Sequence, residues 1–223
     1  MSLREYLFHE EPGVTLYCGD CRDVLPLLDR ADAVITDPPF NVRRDSWDTF
    51  ADAGDFLAFT CSWMIAAARV APLVASFFPD KFLPTIRRAA EIAGLPYRRA
   101  LIWRKPPGSQ YAGASLDGFW FDFEIVNIFG EPSRGATRRA ERFGVMEHRT
   151  VPSREHPCEK PESLLGEIIA AYVNGCGLID PFAGVGTTLV AAKSLGRRAI
   201  GVEVEARYCE IAVRRLRQGV LPL

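Results

Sequence analysis

The chain has no apolar stretch long enough to cross a membrane. Its longest uncharged apolar run, residues 56–68, includes Thr60 and Ser62 and falls well short of the roughly 20 residues a bilayer span needs, so it is expected as a core helix. The first thirteen residues carry Arg4, Glu5, Glu10 and Glu11 and lack the apolar centre of a signal peptide, which points to a soluble, cytoplasmic protein. Neither sign of charge is in surplus. With 27 Lys and Arg against 28 Asp and Glu, the formal net charge is −1, so the chain is no general polyanion binder and any nucleic-acid footprint must be a local stripe. The six cysteines are scattered at 18, 21, 61, 158, 176 and 209, a pattern of reduced thiols and not of a disulfide framework. Cys18-x-x-Cys21 has no second pair and sits at the end of an expected strand, so no metal site is expected. No internal repeat or low-complexity segment divides the 223 residues, which suffice for one sizeable α/β core.

What is present centres on Ile179-Asp180-Pro181-Phe182-Ala183-Gly184-Val185-Gly186-Thr187-Thr188. Gly177, Leu178 and Ile179 read as a short buried strand, and residues 188–195 as a helix stopped by Gly196. Gly184 and Gly186 have no Cβ to hold a ligand off the backbone of the turn between them. A second strand, residues 198–203, ends in Glu203, nineteen residues past Gly184, where a carboxylate can accept hydrogen bonds from a ribose diol. The third glycine of G-x-G-x-x-G is missing, and no G-x-x-x-x-G-K-[ST] occurs. Both absences argue against a pyrophosphate or triphosphate and for a nucleoside without phosphates, an ordinary tight βα turn being the alternative.

Asp37-Pro38-Pro39-Phe40 follows the apolar run 33–36. Two prolines fix φ and donate no N–H, so the turn is rigid and its carbonyls stay free to accept. Asp37 and the Pro38 carbonyl suit the two hydrogens of an exocyclic NH₂ on a planar ring, with Phe40 stacking on that ring. A helix cap and turn is the alternative for an isolated Asp-Pro-Pro.

Together, Asp37-Pro38-Pro39-Phe40 early in the chain and Asp180 to Thr188 late in it resemble an S-adenosylmethionine-dependent DNA amino-methyltransferase of the β class, in which the catalytic motif precedes the cofactor motif. Gly19-Asp20 resembles the family's segment upstream of the catalytic strand, and His156-Pro157-Cys158-Glu159-Lys160-Pro161 its His-Pro-x-Glu-Lys-Pro approach to a helix. The resemblance implies catalytic roles for Asp37, Pro38, Pro39 and Phe40. It implies cofactor contacts from Asp20, Asp180, Pro181, Phe182, Gly184, Gly186, Thr187 and Glu203, with Lys160 and Ser163 near the methionine end. A solvated lysine and an ordinary helix N-terminus are the plainer reading of that last pair. Asp20 equally suits a helix cap.

Implied, too, is one catalytic domain over residues 1–223, with a Rossmann-like, doubly wound, mostly parallel seven-stranded sheet in circularly permuted motif order. Strands are expected at 14–18, 33–36, 71–78, 99–103, 124–129, 177–179 and 198–203, the fourth and fifth as a hairpin at the sheet edge. A short target-recognition insertion falls at about 131–155 and carries Arg134, Arg138, Arg139 and Arg142. Arg43 and Arg44, in the polar stretch after Phe40, are further candidates for DNA phosphates. The arginines of the closing helix, 205–218, read as a solvated face.

The partner so implied is double-stranded DNA; a homodimer and a cognate restriction endonuclease are left open. Asp at the head of the first motif goes with N6 of adenine more often than with N4 of cytosine, so adenine is expected. A flipped base would present its amine to Asp37 for direct methyl transfer. Pro157-Cys158 matches the dipeptide of C5-cytosine methyltransferases, but that chemistry needs its cysteine on the strand-end loop where this chain has residues 37–40. An RNA or small-molecule methyltransferase and a catalytically silent DNA binder are the rival functions.

Overall fold

The computed structural model describes residues 2–40, 49–107, 109, 122–132, 143–151 and 159–218. Among them, nine strands form one sheet: β1 Leu7–Glu11, β2 Val14–Cys18, β3 Ala33–Thr36, β4 Leu73–Phe77, β5 Tyr97–Arg104, β6 Phe123–Gly130, β7 Val145–Glu147, β8 Leu178–Asp180 and β9 Ala199–Glu203, in the order β1-β2-β9-β8-β3-β4-β6-β5-β7. Seven strands were expected, in a mostly parallel sheet. The sheet is mixed, since β1 runs antiparallel to β2 and β6 runs antiparallel to both β4 and β5. The two unexpected strands lie at the two edges, where only one neighbour demands a pattern. β1, Leu-Phe-His-Glu-Glu, has no fully buried residue, and β7 has three residues with Met146 alone buried. Because β7 pairs outside β5, the β5–β6 hairpin lies one strand inside the edge.

The helices are α1 Leu3–Tyr6, α2 Cys21–Val24, α3 Ala53–Val70, α4 Leu83–Ile92, α5 Glu162–Tyr172, α6 Thr187–Ser194 and α7 Ala206–Arg217. The run expected as a core helix is α3, started by the Asp52 side chain accepting from the Asp55 N–H at 2.9 Å, which satisfies one of the orphan donors of its first turn. Alternate residues of the central strands point to opposite faces. Ile35 and Ala75 pack with Leu164, Leu189 and Leu216 on the α5–α6–α7 side. Val34, Val74 and Ile179 pack with Phe56, Trp63 and Ile86 on the α3–α4 side. Both faces are covered, which is why these strands are nearly all apolar and not alternating.

Asp32 fixes the join between the two halves of the sheet. Its Oδ2 accepts four backbone N–H groups, from Asn174, Gly175, Cys176 and Gly177, at 2.7–3.3 Å, and so sets the loop before β8 against the start of β3. Burial pushes the Asp32 carboxyl up, but these donors outweigh it and hold it below its ordinary value. Asp32→Ala is expected to lower unfolding free energy by about 2–3 kcal/mol in urea titrations at pH 7. A group whose folded pKa is depressed stabilises fully above its unfolded pKa, so the deficit should shrink as pH falls below about 4.

Candidate active site

β2, β9, β8, β3 and β4 run parallel, so the residues after each meet along one edge of the sheet. From β8 the chain proceeds to β9 on one side, and from β3 to β4 on the other. The crevice where direction diverges is where doubly wound sheets bind ligands. Here Thr36 Oγ1 donates to Asp180 Oδ1 at 2.7 Å, and the Phe182 N–H donates to the same oxygen at 3.1 Å. Burial pushes the Asp180 carboxyl up, against the pull of Thr188, Thr36 and the Phe182 N–H.

A cavity of about 550 Å³ opens at this edge, bordered by Asp20, Asp37, Phe59, Phe182, Gly184 and Glu203 among others, a size ordinary for small-molecule sites. The two glycines of the turn have different jobs. Gly184 sits at φ +52, and a Cβ there would meet no atom within 4 Å among the described residues beyond its chain neighbours, so its bare face borders the cavity. Gly186 sits at φ +78 and caps α6; a Cβ there would come within 2.8 Å of Ala212 Cβ, so its bareness admits α7 and not a ligand. Glu203 holds the turn in shape, accepting from the Gly184 N–H through Oε2 and from the Glu205 N–H through Oε1, each at 2.8 Å. Burial raises its carboxyl above the ordinary value despite those donors. Phe182 packs edge-on to Trp63, ring centroids 5.7 Å apart, and Pro181 lines the same wall.

Asp20 caps α2 by accepting from the Arg22 N–H at 2.8 Å, and the Arg22 side chain donates to both of its oxygens. That contact is the main reason its carboxyl is held below the usual range. The Arg22 guanidinium lies 5.6 Å from the centre of the Phe59 ring at the cavity wall.

Asp37 borders both the large cavity and a small one of about 60 Å³ beneath it, lined by Thr36, Lys160, Asp180 and Thr187. Its Oδ2 accepts from Lys160 Nζ at 2.6 Å, while its Oδ1 is buried with no hydrogen-bond partner among the described residues. Burial is the main cause that raises its carboxyl to about 6; Lys160 opposes, and Glu124 and Asp180 reinforce. Pro38 is buried, Pro39 lines the cavity, and Phe40 stands edge-on to Phe78 with centroids 5.4 Å apart. Lys160 therefore lies against Asp37. Ser163 donates to or accepts from His148 Nδ1 at 2.9 Å.

Arg215 departs from the expected solvated face. Its Nη1 donates to the Val185 carbonyl at 3.2 Å and Thr187 Oγ1 at 3.0 Å, and the same guanidinium pairs with Glu159 and Glu162. It ties α7 to the glycine turn and to the approach to α5. Glu124 and Lys105 are further charged groups that no motif singled out; the only signal is a glutamate near the start of a mostly apolar strand. Arg43, Arg44, Arg134, Arg138, Arg139, Arg142 and Cys158 lie outside the described residues.

A family model for DNA methylase matches residues 119–214. The match spans less than half of the chain. The matched span runs from before β6 into α7, and so contains the glycine turn and Glu203 but stops short of Asp37. Relatives over the whole length include YubD of Escherichia coli (strain K12), which carries a methylase name and is 28% identical over 205 residues, 89% of this chain and 88% of that one. The type II methyltransferase M.HinfI of Haemophilus influenzae is 24% identical, covering 92% of this chain and 68% of that one. Among solved structures, the M1.HpyAVI–SAM complex superposes with a TM-score of 0.71 at 23% identity, over 91% of this chain and all of that one. The cytosine-N4-specific PvuII DNA methyltransferase does so with a TM-score of 0.74 at 14% identity, over 91% and 86%. These likenesses establish the methylase fold.

The Arg215 clamp on the glycine turn is open to a direct check. Arg215→Met should cost about 3 kcal/mol in urea unfolding, because Glu159, whose side chain is 6% exposed, loses its cation while remaining buried. Arg215→Lys should cost less, since one charge is kept and the forked donors are lost.

Proposed function

We propose that the chain is a DNA methyltransferase that takes its methyl group from S-adenosylmethionine and places it on N6 of adenine in a base turned out of the duplex. The observation that carries this reading is Asp37 Oδ1, a buried acceptor with no partner among the described residues, on a side chain that lines the cavity. A buried acceptor left open costs free energy, and such costs gather at functional sites.

The residues present fit the cofactor. Gly184 offers bare backbone to the cavity, Glu203 has carboxylate lone pairs left beyond its two backbone donors for a ribose diol, and Phe59 and Phe182 supply flat apolar walls. S-adenosylmethionine would supply an electrophilic methyl group on its sulfonium. The protein supplies orientation. An aromatic amine shares its lone pair with the ring, so Asp37 Oδ1 and the Pro38 carbonyl accept its two hydrogens and free that lone pair. Phe40 stacks on the base. Asp37, with its carboxyl near 6, accepts the excess proton and passes it to water. Asp at the head of the motif favours adenine through the family resemblance. A base paired in a duplex cannot offer its amine, so the base must leave the stack.

Asp37→Asn should abolish transfer while changing S-adenosylmethionine affinity, measured by calorimetry, no more than a few-fold. In the wild type, transfer should fall as pH drops through about 6, because protonation removes the acceptor. Digesting the product DNA to nucleosides and weighing them decides the base. N6-methyladenine supports the reading; N4-methylcytosine alone moves it to cytosine; 5-methylcytosine overturns it. NAD or ATP binding tightly with no binding of the methyl donor would sink the cofactor assignment.

DNA as the partner gives the arginines of 134–142 their role in this reading. Charge reversal of Arg138 and Arg139 to Glu should remove DNA binding in mobility-shift assays at low salt and leave cofactor affinity intact. Unchanged DNA affinity would move the contact surface to Arg43 and Arg44.

A further inference from the structure

Asp37 is one end of a row of four charges that alternate in sign, two half-buried carboxylates and two buried lysines. Lys160 Nζ lies 2.6 Å from Asp37 Oδ2 and 3.2 Å from Glu124 Oε2, and Lys105 Nζ lies 2.9 Å from Glu124 Oε1. The two lysine side chains are only 9% and 7% exposed. Each ammonium also lies about 5 Å from an aromatic ring centre, Lys160 over Phe77 and Lys105 over Trp103, so neither is free to swing into water. The four residues come from the turn after β3, the approach to α5, β6 and the end of β5.

We infer that Glu124 and Lys105 are positioning residues for Asp37, which act through Lys160 to hold one carboxylate oxygen open and to keep that carboxylate basic. This rests on the reading of Asp37 as the acceptor for the substrate amine. An ammonium carries three donors on a flexible stem, and with Asp37 as its only anion it would straddle both oxygens. Glu124 draws Lys160 from the other side, so the lysine reaches Oδ2 alone and Oδ1 stays unpartnered. The same pull divides the charge of Lys160 between two carboxylates and weakens its hold on Asp37. Lys105 limits that division by compensating Glu124. A carboxylate paired only with Lys160 would be a poorer acceptor for an amine hydrogen and a poorer holder of the excess proton.

The charged groups facing Asp37 among the described residues are Lys160, Glu124 and, from the end of β8, Asp180. Lys105 faces Glu124. Glu159, which borders the same small cavity, is paired with Arg215. Burial pushes the Glu124 carboxyl up, but Lys160 and Lys105 outweigh it and hold it below its ordinary value, so it remains an anion where Asp37 titrates. A row of ion pairs that merely fastens β6 to the approach of α5 would also tie these residues together. The acid limb of kcat separates the two roles, because a row that only fastens would not carry its displacement of Asp37 into the rate.

The experiment is a carbon-13 NMR titration of the full chain labelled at aspartate carboxyls, with the Asp37 signal identified by its loss in Asp37→Asn. Glu124→Gln should lower the Asp37 midpoint, Lys105→Met should raise it, and Lys105→Arg should restore it. Each shift should amount to a change of about threefold or more in proton affinity, the size expected of a charge removed one partner away. Should Glu124→Gln fail to fold, Glu124→Asp keeps the charge at a longer reach and should lower the midpoint by less. The acid limb of kcat should follow each midpoint, with KM for the methyl donor unchanged. Midpoints that stay in place, or that move the same way in both variants, overturn the inference. So does a fall in kcat with no displacement of its acid limb. If the wild type transfers no methyl group to any base, the proposed function fails on its own, and the midpoints still decide whether the row governs Asp37.

Discussion

A single hydrogen bond, from Thr36 to the buried Asp180 carboxylate, closes the gap between the two strands from which the chain departs in opposite directions. Parallel strands feed their carboxyl ends to one edge, and the divergence leaves a crevice there because no crossover covers it. Without a bond across the crevice floor, the glycine turn after β8 and the Asp37 turn after β3 would be joined only further back, by the β3–β8 pairing at Ala33–Leu178 and Val34–Ile179. With it, Asp37 and the glycine turn share one frame. Asp32, accepting four N–H groups at the opposite end of the same strand pair, fixes that frame from below.

Three buried carboxylates border this crevice, and burial raises all three above their ordinary values. They are compensated differently. Asp180 is held by hydroxyls and a backbone N–H, and Glu203 by two backbone N–H groups, all neutral dipoles locked into turns. Such groups shape the turns. Asp37 alone faces an ammonium, and a charge partner can be shared, shielded or withdrawn in a way that a peptide N–H cannot. The site thus separates carboxylates that build from a carboxylate that can be adjusted.

How much of this was legible in the sequence varied with how local the cause was. Residues 33–36 and 198–203 are apolar enough to be strands in any setting, and Asp37 and Glu203 follow as their ends. The 56–68 run announces a helix because it is apolar without alternation. β1 and β7 leave no such mark: an edge strand packs on one side only, and Leu-Phe-His-Glu-Glu looks like a charged tail until β2 pairs with it. Gly184 and Gly186 look alike on paper, but one borders a cavity and the other a helix met 26 residues later, at Ala212. Arg215, Lys105 and Glu124 were missed for the same reason. Their partners lie at long sequence separation, and charge on a helix or strand end ordinarily means solvent.

The contact between Gly186 and α7 bears on the order in which the protein can be made. The glycine turn is formed against Ala212 and gripped by Arg215, so its backing is encoded downstream of the turn itself. At about 5–20 residues per second, the 29 positions from Gly186 to Arg215 take about 1.5–6 s to synthesise. During that interval the emerging chain has its Asp37 corner and its glycine turn but not the helix that sets the turn. The growing chain is thereby kept from setting its glycine turn until α7 has been added.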